Sequence, residues 1–190
     1  MVKWCKRRLH SERSGAGRHQ RVAPAEQTTG WTGGYDSILR LDIPFRLPFR
    51  YIIYKEALRE EVVSPPDLLS RLVSLGLEGV EITEEEFFYA EDLAENYVKL
   101  SGYDRIALAI AKVRKICLLT GDAALRKAAI KEGVEVFGTI RVLDMLHESG
   151  KINNDDYLYC LENLKKHPER RLPQEELERR IIATQRELKK

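Results

Sequence analysis

From about Ile38 onward the chain alternates short apolar runs with stretches whose apolar residues recur at helical spacing. Tyr51-Ile52-Ile53-Tyr54 is rich in β-formers, and Glu56 to Glu61 after it favours helix. Ser64-Pro65-Pro66-Asp67 reads as a helix start, with a serine cap and proline in the first turn. Leu68, Leu69, Leu72 and Val73 form its stripe, and Gly76 its stop. Val80-Glu81-Ile82 alternates like a strand. Thr83 and Glu86 then make a capping box, which opens a helix expected to run to about Leu100.

Ile106 to Ala111 is apolar on nearly every side, so the helix that begins near Asp104 should be buried on most faces. Ile116 to Leu119 is a continuous apolar run of the kind found inside a parallel sheet. Thr120-Gly121-Asp122 makes a turn. Ala124, Leu125, Ala128 and Ala129 stripe the next helix, which Gly133 closes. Val134 to Phe137 reads as a strand, and Thr139 as the cap of a helix through about Glu148. After Gly150 the pattern is all helical: Asn153 to Asp156 caps one helix and Pro173 starts another. Strands alternating with helices predict an α/β fold. The expected architecture is a three-layer α/β/α sandwich with a mainly parallel sheet, followed by C-terminal helices.

Residues 1–34 break this pattern. They hold Lys3, Lys6, Arg7, Arg8, Arg13, Arg18 and Arg21 against Glu12 and Glu26, with no apolar period. They read as a disordered basic arm, either an RNA-tracking tail or an extension foreign to the fold. The expected organisation is that arm, an α/β domain over 35–150 and a helical extension over 151–190.

Composition narrows the classes. Of 190 residues, 43% are hydrophobic and 33% charged, with a net charge of +2, so a core is affordable and a polyelectrolyte is excluded. No apolar run approaches the ~18 residues of a membrane span, and no partner membrane is expected. Cys5, Cys117 and Cys160 show no metal-ligand spacing and read as reduced thiols of a cytoplasmic protein. The phosphate-cradling GxxxxGK and the nucleophile-bearing GxSxG are both missing.

In open α/β sheets the ligand site lies outside the carboxyl ends of the strands. Asp122 follows one such end, and the helix that begins near Asp104 runs back antiparallel to that strand. Both carboxylates should therefore meet at one rim. Two carboxylates ~4 Å apart repel by roughly 4 kcal/mol at an effective dielectric near 20, and a hard divalent cation relieves that repulsion. The competing role for each acid is a helix N-cap. Glu60 or Glu61, near another strand end, supplies a third acid.

The segments Tyr103 to Ala111, Leu118 to Ala129 and Gly133 to Thr139, in that order and spacing, resemble the second half of a PIN domain, with VapC-like prokaryotic proteins the nearest in character. Arg170-Arg171-Leu172-Pro173 resembles a piece that follows some of these domains. The resemblance covers roughly residues 48–182. It implies a metal-dependent nuclease, usually acting on RNA, in which acidic side chains gather Mg²⁺ or Mn²⁺. By that likeness Asp104 and Asp122 are metal ligands, Glu61 or Glu60 is the helix glutamate, and the first acid is Asp36, or Asp42 at the end of an Ile38–Leu41 strand. The stretch Gln27 to Gly34 before Asp36 is not strand-like, unlike the family pattern. The resemblance further implies a toxin of a toxin–antitoxin pair, a covering antitoxin protein and a homodimer. The alternative is a catalytically incomplete module of the same fold that binds RNA or protein.

Overall fold

The structure is a computed structural model, and it describes residues 4–8, 42–61, 66–167 and 172–189. Asp36, Ser64 and the Ile38–Leu41 run lie outside the described residues. In chain order the elements are β1 (Trp4–Arg8), β2 (Phe49–Tyr54), α1 (Lys55–Glu61), α2 (Leu68–Ser74), β3 (Leu77–Val80), α3 (Glu84–Asn96) and α4 (Gly102–Val113). They continue with β4 (Cys117–Leu119), α5 (Ala123–Lys131), β5 (Val136–Phe137), α6 (Thr139–Glu148), α7 (Asn154–Lys165) and α8 (Gln174–Leu188).

The strands form one sheet in the order β3-β2-β1-β4-β5. β2 pairs with β3, and β4 with β5, in parallel. β1 sits between the two pairs and runs antiparallel to both neighbours, with Cys5 opposite Ile52 on one side and Leu118 on the other. Four strands therefore point one way and the central one is reversed. Residues 4–8 fall in the stretch expected to be a disordered arm, and here they form a strand.

Both faces of the sheet are covered. Ile52 and Leu118 face a cluster built from α3, α4 and α5, with Leu93, Leu108, Leu125 and Ala129 at its centre. Tyr51 and Ile53, the alternate positions of β2, face Leu58, Leu72 and Leu77 on the other side. A third cluster joins Leu143, Leu146, Leu161, Leu164 and Leu177 to Ile43 and Leu47, so the C-terminal helices share one core with α6. The result is an α/β fold with helices on both sheet faces and a C-terminal helical pair.

Local signals account for most boundaries. The Thr83–Glu86 capping box forms in both directions, and Gly76 and Gly133 stop their helices with φ of +104° and +72°. α3 ends at Asn96 rather than Leu100. α2 begins at Leu68 with Asp67 in the cap position, and Gly138, not Thr139, is the N-cap of α6. The buried helix α4 has Ala107 to Ala111 essentially free of solvent. It reverses into β4 through Lys115, a non-glycine residue at φ +54°.

Candidate active site

The carboxyl ends of β2, β3, β4 and β5 lie along one edge of the sheet, because those four strands are mutually parallel. The residues leaving that edge are Lys55 and Glu56 after β2, Glu81 after β3, Thr120 to Asp122 after β4, and Gly138 after β5. α4 turns back into β4 within three residues of its end, so its amino-terminal turn, with Asp104, lies at the same end of the sheet as Asp122.

Each acid is held locally. Asp104 is the N3 residue of α4 and completes a second capping box, this one with Ser101. Its Oδ2 accepts from the Ser101 backbone N–H at 3.0 Å and from the Ser101 hydroxyl at 2.7 Å. The Ser101 hydroxyl oxygen in turn accepts from the Asp104 N–H at 3.1 Å. The residue is 8% exposed, so its rotamer is pinned by packing as well as by the cap. Asp122 is the N-cap of α5: its Oδ1 accepts from the Leu125 N–H at 2.8 Å. Its own N–H donates to the Thr120 hydroxyl at 3.0 Å, and Thr120 is buried.

Both acids therefore do the capping work that their positions suggest. A carboxylate has about four lone-pair directions, so the bonds made to Asp122 do not exhaust it. The Ser101-x-x-Asp104 capping box starts α4 at Gly102, two residues before the start expected near Asp104.

Glu60 is reached from α4. The Tyr103 hydroxyl donates to its carboxylate, tying the last turn of α1 to the residue beside Asp104. Glu61 closes α1, and its side chain lies outside the described residues, as does Asp36. Asp42 occupies the turn before the short 3₁₀ helix Pro44–Arg46 and is paired with Arg46 at 2.7 Å. It does not end a described strand.

A tyrosine pair at this edge has no spacing signature in the sequence. The Tyr54 and Tyr103 rings lie 6.2 Å apart, tilted by 49°. The Tyr54 phenol is held above its ordinary pKa by the Glu56 carboxylate as hydrogen-bond acceptor, then by burial and by the charges of Glu56, Glu81 and Glu60. Three carboxylates thus act on one phenol at the end of β2. Glu81 is itself paired with Lys55 at 2.6 Å. On the opposite flank Arg126 folds over Gly138, where a Cβ would come within 3.0 Å of its guanidinium, with the Thr120 carbonyl at 4.0 Å. The glycine thus admits a cation beside the β4 end.

The donors at this edge are hard oxygens, which suit Mg²⁺ or Mn²⁺ over softer metals. Among the described residues, no group of three or more His, Cys, Asp or Glu is arranged to hold a metal. Asp104 and Asp122 present carboxylate oxygens of that kind at the end of the sheet they share. Among the described residues no helix is long and apolar enough to cross a membrane.

A family model described as a PIN domain matches residues 35–186. The match includes the edge just described, α7, and α8 as far as Arg186. No curated protein and no solved structure matches the chain. Most of the sequence lies within the matched range, and the chain belongs to the PIN domain family.

Proposed function

We propose that the protein is a metal-dependent ribonuclease, with Asp104 and Asp122 as ligands of Mg²⁺ or Mn²⁺. Glu61 (or Glu60) and Asp36 complete the acidic set in this reading. What supports it is that the α4 amino terminus and the β4 carboxyl end lie at the same end of the sheet, within the range matched by the family. When bound, such an ion activates water for in-line attack on a phosphodiester and offsets charge on the leaving oxygen. The chain's own residues supply the frame. Ser101 and the Leu125 N–H fix the two aspartates, and Tyr103 draws α1 toward them. Arg126, above Gly138, offers a cation for a substrate phosphate. A toxin role with a covering antitoxin, a homodimeric state and a cytoplasmic location belong to the same reading.

A second reading is a binding module of the same fold that does not cut. It is favoured by the capping bonds of Asp104 and Asp122, which give each a structural reason to be present. Thermal unfolding with and without Mn²⁺, alongside cleavage of single-stranded RNA, separates the two. The nuclease reading expects a stabilising shift and cleavage, both lost in Asp104→Asn and Asp122→Asn. Asparagine keeps an oxygen to accept the cap bonds, and circular dichroism checks that both variants stay folded. An unshifted melting temperature and intact RNA would leave the binding module.

A further inference from the structure

α3 carries a surface that the edge of the sheet does not explain. Phe87 and Phe88 are 48% and 64% exposed, in mutual edge-to-face contact. Residues three and four positions away are neighbours on a helix. For Phe88 these are Glu84, Glu85, Glu91 and Asp92, every one exposed and acidic. Glu95 extends the same side by one turn. No lysine or arginine occurs in α3. Among the described residues, none of these five acids makes an ion pair, whereas Glu86 on the buried side is paired with Arg114.

The charge placement is costly for the helix alone. Glu84 and Glu85 suit the positive end of the helix dipole. Asp92 and Glu95 sit toward its negative end, with no basic residue in the last turn. Glu91 and Glu95 are spaced for i,i+4 repulsion. Two exposed aromatic rings and a ring of unneutralised carboxylates are both relieved by the same occupant.

We infer that the Phe87–Phe88 face of α3 docks a basic, amphipathic helical segment of a partner protein. The apolar stripe of that segment covers the two phenylalanines, and its lysines and arginines meet Glu84, Glu85, Glu91, Asp92 and Glu95. Charge complementarity selects this occupant. A nucleic acid or an anionic membrane would be repelled, and a face this acidic would repel itself across a two-fold axis. Phe87 and Phe88 lie in the first turns of α3, whereas Asp92 and Glu95 lie toward the α3 end that leads into Ser101 and Asp104. The Glu86–Arg114 pair sets the start of α3 beside the end of α4, opposite to Asp104. Ten residues of helix separate Asp104 from Arg114, about 15 Å at 1.5 Å per residue. The inference does not depend on the chain being a nuclease.

The test uses the full chain and a synthetic leucine–lysine peptide of about 16 residues with helical periodicity, followed by fluorescence anisotropy. A leucine–glutamate peptide of the same pattern serves as control. Saturable binding of the basic peptide is expected, with none of the acidic one. Phe87→Ser together with Phe88→Ser should weaken it by at least ~10-fold while every α3 charge stays in place. Glu84→Gln with Glu91→Gln should weaken it and flatten its salt dependence. Circular dichroism checks that the variants stay folded, which their exposure favours. Equal binding by the serine variant would reduce the effect to bulk Coulomb attraction and overturn the proposal. So would self-association of the free chain that the serine variant abolishes, since the occupant would then be a second copy.

Discussion

The Arg114 guanidinium, in the turn after α4, grips both carboxylate oxygens of Glu86 in the first turn of α3, with Nη2 to Oε2 at 2.8 Å. Glu86 is 1% exposed, and it also accepts from the Thr83 backbone N–H at 2.8 Å. One side chain thus closes the capping box of α3 and pins α3 to the far end of α4. Burial alone would raise the Glu86 pKa. The Arg114 and Thr83 hydrogen bonds outweigh it and hold the carboxyl below its ordinary value of 4.5.

Arg114→Ala should therefore strand a buried carboxylate and cost about 3 kcal/mol at neutral pH. Urea unfolding of the variant and the parent at matched ionic strength checks this. A loss below ~0.5 kcal/mol, typical of surface substitutions, would mean that water replaces the arginine freely.

Asp144 anchors the C-terminal helices in a comparable way. It accepts from Arg180 of α8 at 2.9 Å and from the Tyr157 hydroxyl of α7 at 2.6 Å. Burial pushes its pKa up, but Arg180 and Tyr157 prevail and hold it below 3.8. Both depressed carboxyls contribute stability that is present above their unfolded values and fades as pH falls through their folded ones. Stability should hold from neutral pH to about pH 5 and drop below about pH 4. In Asp144→Asn the drop should be shallower and neutral stability lower, by about 2 kcal/mol. Denaturant titrations at several pH values measure both.

Lys115 turns the chain between α4 and β4 in the left-handed region. A β-carbon there costs roughly 1–2 kcal/mol. Lys115→Gly should relieve this and raise stability by about 0.5–1 kcal/mol after the entropy lost by glycine. A higher melting temperature in calorimetry is the expected result.

The Tyr103 hydroxyl is the hydrogen bond that reaches from α4 to Glu60 on α1. Tyr103→Phe should leave global stability within about 1 kcal/mol and loosen α1 relative to α4. If Glu60 or Glu61 belongs to a metal set, the midpoint of the Mn²⁺-dependent thermal shift should move to higher Mn²⁺ concentration in this variant.

Elements ruled by short-range chemistry were legible in the sequence. Thr83 and Glu86 announced α3, Asn153 announced α7, and Gly76, Gly133 and Gly150 marked turns at positive φ. The unbroken apolar run before Asp122 announced a strand covered on both faces. The reversed central strand was not legible. Trp4–Arg8 contains three basic residues in succession and no alternation, and it becomes a strand through ladders to β2 and β4, far along the chain. Pairing at that distance leaves no local trace. At the candidate site, the aspartates stood out by type and position. The tyrosines and the Arg126–Gly138 contact did not, because their meeting depends on how β2, α1, α4, α5 and β5 are assembled.

The placement of β1 makes the sheet a composite. Among the described residues β2–β3 and β4–β5 share no rung with each other, and the hydrogen-bond ladder between these two halves passes through the five residues of β1. A change that withdrew Trp4–Arg8 would bare two facing strand borders at once, next to the end that holds Asp104 and Asp122. The cohesion of the acidic rim and its guard against sticking to other chains are thereby vested in the same short ribbon.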